Sequence, residues 1–272
     1  MSGMVASTPV DLGLGGRVVV VTGAGRGIGR QVARTVLVEG GLVVACARTV
    51  ADLDVLAAEA TDRASVLVLP VDVAADGAEE HIVSATLARF GRLDALINNA
   101  GGPRPSRLDR MTNERWRKGF EVDFFAAARL ATAAVEPMRA AGWGRIVNVA
   151  STYGREPDPG YAAYGAAKAA LINLTRSFAR AYGAEGVNTT CVIPGVTLTE
   201  GVEAAVASVA KRTGATTAEV LEATMAKDPV AAGRFATPDE IAGAVVFLAS
   251  EQASWINGSC LAVDGGTLRG AP

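Results

Sequence analysis

Thr22-Gly23-Ala24-Gly25-Arg26-Gly27-Ile28-Gly29 follows directly on the β-branched run Arg17 to Thr22. It opens a stretch in which Ile28, Val32, Ala33, Val36 and Leu37 fall on one helical face. Strand, glycine turn and helix in that order make the first half of a βαβ unit. Glycine lets the chain turn sharply and lets the backbone approach a pyrophosphate, whose charge is stabilised by the free N–H groups at the helix start. A lone glycine turn is weak evidence; between a strand and a helix it points to a nucleotide site.

The pattern repeats outward from this turn. Leu42 to Ala47, Val66 to Val71, Leu93 to Ile97, Arg145 to Ala150 and Val187 to Ile193 read as buried strands, and Cys260 to Val263 as a short last one. Amphipathic stretches separate them, for example Ile82, Val83, Leu87 and Phe90. Such alternation implies an α/β fold, a doubly wound parallel sheet of Rossmann type with right-handed crossovers. No Pro- or Ser-rich linker divides the 272 residues and no fixed repeat appears, so one domain is expected over 17–272, preceded by a loose arm over 1–16. From Thr199 to Val230 the rhythm breaks into an Ala-rich stretch that predicts a helical segment over the site. Thr237 and Pro238 then read as the N-cap and first turn of a helix running to Ala249.

Composition excludes several functions. Half the residues are apolar, a fifth are charged, and the net charge is −2, which leaves no basic field for nucleic acid or anionic lipid. The first residues lack the charged start and unbroken apolar core of a signal peptide, and no apolar run reaches the roughly 18 residues of a membrane span. Cys46, Cys191 and Cys260 are an odd number, far apart, which argues against a disulfide framework or zinc site and for a reducing cytoplasm. His81 is the only histidine and sits beside Glu79 and Glu80 in a surface-like helix. One histidine supplies neither a Ser-His-Asp triad nor a histidine-rich metal site, so no metal is expected.

Chemistry gathers at the carboxyl ends of the strands, where open α/β sheets bind ligands. Asn98-Asn99-Ala100-Gly101 ends the fourth strand, Ser151 follows the fifth, and Tyr164-Gly165-Ala166-Ala167-Lys168 opens a helix. A tyrosine and a lysine four apart share one helix face. A phenol ionises near pH 10, and a nearby cation favours the phenolate, so Lys168 would tune Tyr164 for proton transfer. Ser151 would donate a hydrogen bond to a substrate oxygen as charge develops there.

Taken in order, the Gly23, Gly27 and Gly29 loop, Asn98-Asn99-Ala100-Gly101, Ser151, Tyr164, Lys168, Pro194-Gly195-Val196-Thr197-Leu198-Thr199 and Val263-Asp264-Gly265-Gly266 resemble the short-chain dehydrogenase/reductase family, in the manner of its 3-oxoacyl-ACP reductases. The resemblance runs from about Leu14 to Gly266. It implies hydride transfer between a nicotinamide cofactor and a ketone or secondary alcohol, with Tyr164 as proton donor or acceptor, and an assembly of two or four copies. It places Gly23, Arg26, Gly27, Ile28, Gly29, Asp72, Val73, Asn99, Tyr164, Lys168, Thr197 and Thr199 against the cofactor. Asp72 reads equally well as a turn residue.

Two positions depart from the pattern. Where many members carry an Asn that supports a water of the proton relay, the matching residue here is Asp123, which when ionised accepts but does not donate. Thr190 stands where the family has an Asn before the Pro-Gly loop, and no role is assigned to it. At the end of the second strand the acid that would hold an NAD ribose is missing. Arg48 stands there, with Arg26 nearby, which favours NADP(H) over NAD(H), although an Arg at a strand end also reads simply as a solvated side chain. Tyr153, Arg155 and Tyr161 suggest a substrate wall; Trp116, Phe120, Phe124 and Phe125 suggest core or subunit packing. An epimerase or dehydratase on the same fold, or a cofactor-binding regulator without turnover, are the alternative readings.

Overall fold

The structure, a computed structural model, describes residues 11–105 and 108–270. Seven parallel strands form one sheet in the order β3-β2-β1-β4-β5-β6-β7: β1 Val18–Thr22, β2 Leu42–Ala47, β3 Val66–Pro70, β4 Ala95–Asn98, β5 Gly144–Val149, β6 Val187–Pro194 and β7 Cys260–Val263. Every strand lies within two residues of its expected position. The order reverses between β1 and β4, so the crevice at their carboxyl ends is the topological switch point of a doubly wound fold.

Each central strand is apolar on both faces, and alternation divides its side chains between two cores. Val19, Val21, Val43 and Ala45 pack against α1 Gly27–Val38, α2 Val50–Glu59 and α9 Pro238–Leu248 through Val32, Val36, Leu53, Leu56, Ile241 and Val245. Val18, Val20, Val44 and Cys46 face the other way, onto α3 Ala78–Phe90 and α5 Ala126–Ala140 through Ile82, Leu130, Ala134 and Met138. All four valines of β1 are 0% exposed, and burying each is worth about 1.5–3 kcal/mol, so a polar residue on either face would be costly. α4 Asn113–Phe120 runs into α5 through a π-helical turn at Glu121–Phe125, and α6 Ala162–Tyr182 covers β5 and β6.

Residues 11–16 correct the expectation of a loose arm as far as they are described. Leu14 is 1% exposed inside the first core and Leu12 packs against it, while the backbone is tied by Glu251 N–H to Leu12 O and Arg17 N–H to Leu14 O. Two leucines spaced to reach the sheet outweigh the Gly-rich local composition. The remainder of the arm, 1–10, lies outside the described residues.

The Ala-rich stretch folds as two helices, α7 Glu200–Thr213 and α8 Thr217–Lys227, reversed at Gly214 in the left-handed region and restarted by a capping box between Thr216 and Glu219. Thr237 is the N-cap of α9 with Pro238 in its first turn, and Glu240 accepts the Thr237 N–H at 2.9 Å.

Candidate active site

The glycine loop owes its shape to what surrounds it. Gly23 and Gly27 have φ of 68° and 56°, and a Cβ on Gly29 would overlap the Gly23 carbonyl oxygen and the Asn99 amide. Asn99 sits behind the loop. Its Nδ2 donates to Thr22 O at 2.9 Å, and Thr22 Oγ1 accepts the N–H groups of Asn99 and Ala100. The segment after β4 therefore holds the segment after β1. Ile28 packs against the first core, Val73 against the second.

Anion affinity at this loop is visible in the fold itself: the Gly27 N–H donates to a carboxylate oxygen of Glu200 at 2.9 Å. A loop that holds a carboxylate has the donor geometry a pyrophosphate needs, so these residues fit a dinucleotide. Arg26, the N-cap of α1, and Arg48, just past β2, are both exposed and have no ion-pair partner among the described residues. Asp72 is exposed and its carboxylate accepts the Ala74 N–H at 3.1 Å, a turn-forming contact. Thr197 Oγ1 donates to Gly195 O, and Thr199 caps α7 by accepting the Val202 N–H, with its methyl group over Gly27.

Ser151, Tyr164 and Lys168 come together in the same crevice, at 9%, 9% and 3% exposure. The Ser151 hydroxyl accepts the Tyr153 N–H at 3.3 Å and favours the ionised form of Tyr164. The Lys168 Nζ lies 5.7 Å from the centre of the Tyr164 ring and donates to Val149 O at 2.9 Å. Burial pushes the phenol of Tyr164 well up, with Ser151 opposing only in part. Burial likewise lowers Lys168, with Asp123 opposing. The helix carrying both side chains is pinned to the sheet by a buried polar chain: Asn98 Nδ2 donates to Asn148 Oδ1, and Asn148 Nδ2 donates to Thr175 Oγ1 on α6.

Asp123 lies in the π-helical turn, 1% exposed, with one oxygen 4.0 Å from Lys168 Nζ. It is thus a member of the cluster. Arg104 was not legible as a site residue, yet its Nη1 donates to the other Asp123 oxygen at 3.1 Å. Its only sequence signal is that it follows Asn98 to Pro103 directly. Tyr153 stacks on Tyr161 with centroids 4.9 Å apart and meets Tyr164 edge-on at 6.4 Å, which makes an aromatic wall beside the hydroxyl. Phe120, Phe124 and Phe125 form a second aromatic cluster, with Phe125 44% exposed. His81 is exposed on α3 and takes no part.

The family model for short chain dehydrogenase matches residues 17–210. The chain belongs to the short-chain dehydrogenase/reductase family. It is 36% identical over 255 residues to the 3-oxoacyl-(acyl-carrier-protein) reductase FabG of Vibrio cholerae, covering 94% of this chain and 98% of that one. It is 38% identical over 253 residues to the cis-4-hydroxycyclohexanecarboxylate dehydrogenase of Sinomonas cyclohexanicum, covering 92% and 96%. L-sorbose reductase from Gluconobacter frateurii, solved with NADPH and L-sorbose, superposes with a TM-score of 0.91 at 32% identity over 96% of this chain and all of that one. This family member is accordingly a nicotinamide-dependent oxidoreductase acting on ketones or alcohols.

A cleft of about 770 Å³ opens between α8 and the segment before α9, lined by Leu198, Leu221, Met225, Phe235 and Thr237. Ser151, Tyr164 and Lys168 do not line it.

Proposed function

We propose that the protein interconverts a ketone and its secondary alcohol with NADP(H) as the preferred cofactor and Tyr164 as the proton donor to the carbonyl oxygen. The observation that carries this is the buried Ser151–Tyr164–Lys168 cluster beside a glycine loop whose first helical N–H already holds an anionic oxygen. When bound, the cofactor supplies the hydride. Ser151 orients the substrate oxygen and stabilises charge on it; Tyr164 gives or takes the proton; Lys168 favours the phenolate side of that exchange. The aromatic wall of Tyr153 and Tyr161 keeps water from the hydroxyl.

Preference for NADP(H) rests on Arg48, just past the end of β2, with Arg26 in the glycine loop, both without an ion-pair partner among the described residues. It is supported by the NADPH complex of the sorbose reductase. Gly23, Gly27, Ile28, Gly29, Asp72, Val73, Asn99, Thr197 and Thr199 complete the cofactor site in this reading. The substrate is a ketone such as a 3-oxoacyl thioester or a cyclic ketone, in keeping with the reductase and dehydrogenase relatives. α7 and α8 close over it as a lid. Cytoplasmic location and an assembly of two or four copies belong to the same reading, with the half-exposed Phe120–Phe124–Phe125 cluster as a contact face.

Absorbance at 340 nm with NADPH and NADH, against 3-oxoacyl thioesters, cyclic ketones and keto sugars, tests the proposal beside Tyr164→Phe. NADPH-dependent turnover that the variant loses is the expected result. Tight NADPH binding with no turnover on any carbonyl would leave the regulator reading in its place.

A further inference from the structure

Asp123 presents an electrostatic problem that the geometry around it resolves. A carboxylate 1% exposed and 4.0 Å from Lys168 would ordinarily close into a tight ion pair and draw the lysine's charge away from Tyr164. Two donors from the loop after β4 meet it instead, one on each oxygen. Gly102 N–H donates to Oδ1 at 2.9 Å, and Arg104 Nη1 donates to Oδ2 at 3.1 Å. The Gly101 backbone, at φ 136°, passes so close that a Cβ there would overlap Asp123 Oδ1. The loop after β4 is thereby strapped across the carboxylate, with the half-exposed Arg104 as its clasp.

We infer that Arg104 is a positioning residue that neutralises Asp123 and holds it away from Lys168, leaving the lysine's charge to act on Tyr164. The Arg104–Asp123 pair then does electrically what a neutral amide does at this position in other members of the family. The inference rests on Tyr164 being the proton-transfer residue. The charged and titratable groups that bear on Tyr164 are Asp123, Arg104, Lys168 and Tyr153, and those that bear on Lys168 are Asp123, Cys191 and Arg104. Among them Asp123 disfavours the phenolate and Arg104 favours it, so the two charges oppose each other at the hydroxyl.

The test follows alcohol oxidation, kcat/KM against pH, in the full-length enzyme. Arg104→Gln is expected to move the rising limb upward by about one pH unit, with NADP+ affinity unchanged. Arg104→Lys is expected to restore most of the wild-type profile. In an Asp123→Asn background, which has no carboxylate to hold, Arg104→Gln is expected to add a clearly smaller shift, that of Arg104's own charge on the hydroxyl. An equal shift in both backgrounds, or a raised substrate KM with an unmoved limb, would show that Arg104 acts directly on Tyr164 or on substrate and would overturn the inference. Tyr164→Phe separates the two levels: if it keeps its activity the catalytic reading fails, and if it loses activity while Arg104→Gln leaves the limb in place, only the role of Arg104 fails.

Discussion

Glu200, the first residue of α7, places a carboxylate oxygen 2.9 Å from the N–H of Gly27, the first residue of α1. The start of α7 is thus latched to the end of the glycine loop, with Arg30 as a weaker partner at 3.4 Å. The backbone hydrogen bonds hold Glu200 below the usual glutamate range against the opposing effect of burial, so the latch is anionic at neutral pH.

A dinucleotide pyrophosphate needs the same N–H groups, so cofactor and latch compete. Glu200→Gln weakens the competitor without changing its size. The expected outcome is NADPH binding about two- to fivefold tighter, because a charge at a helix N-terminus on an exposed side chain is worth only about 0.3–1 kcal/mol. Fluorescence titration at low and moderate salt measures it. Weaker binding in the variant would mean that Glu200 supports the bound state instead.

Cofactor choice is tested at Arg48. Arg48→Ser removes the guanidinium at the end of β2 while leaving the strand's buried residues Val43 to Cys46 untouched. NADPH KM is expected to rise about 10- to 100-fold, the worth of one charge-assisted contact, with NADH KM nearly unchanged. Equal effects on both cofactors would place Arg48 outside the 2′-phosphate site.

Gly29→Ala tests whether the loop tolerates a methyl group. The added Cβ would overlap Gly23 O and Asn99 Nδ2, and the Asn99 amide is already committed to Thr22 O. Neither neighbour is a flexible chain end that swings aside. The variant is expected to lose about 3 kcal/mol or more of stability, together with NADPH binding, as read by thermal unfolding with and without cofactor. A wild-type melting curve would show that the segment after β4 yields easily.

These relationships divide by how local they are. The strands were legible because each is a β-branched run buried on both faces, and the Gly23–Gly29 loop because glycine placement reports the backbone directly. Ser151, Tyr164 and Lys168 were legible from order and helical spacing. Leu14 was not, since its leucine is set in a Gly-rich segment and its burial depends on a sheet formed later in the chain. Arg104 and Glu200 escaped for the same reason: Arg104 meets Asp123 across 19 positions and Glu200 meets Gly27 across 173, and no local pattern encodes either contact. Asp123 was found only through its departure from a family pattern, and its burial against Lys168 is a property of the π-helical turn.

The pH behaviour of the trio gives the sharpest test of roles. With Tyr164 as the proposed proton-transfer residue, ketone reduction needs it protonated and alcohol oxidation needs it ionised. Burial raises the phenol above its ordinary value near 10, so Tyr164 stays protonated through neutral pH. Reduction is therefore expected to be flat from about pH 6 to 9, while oxidation climbs toward alkaline pH over the same range. Lys168→Ala removes the cation 5.7 Å from the ring. The phenolate becomes harder to form, so the oxidation limb is expected to move further toward alkaline pH and oxidation at neutral pH to fall about 100-fold, with reduction falling less. If the limb instead disappeared in Lys168→Ala, the titrating group would be Lys168 itself, which burial lowers. A limb that moved toward acid would contradict the assigned charge of the lysine altogether.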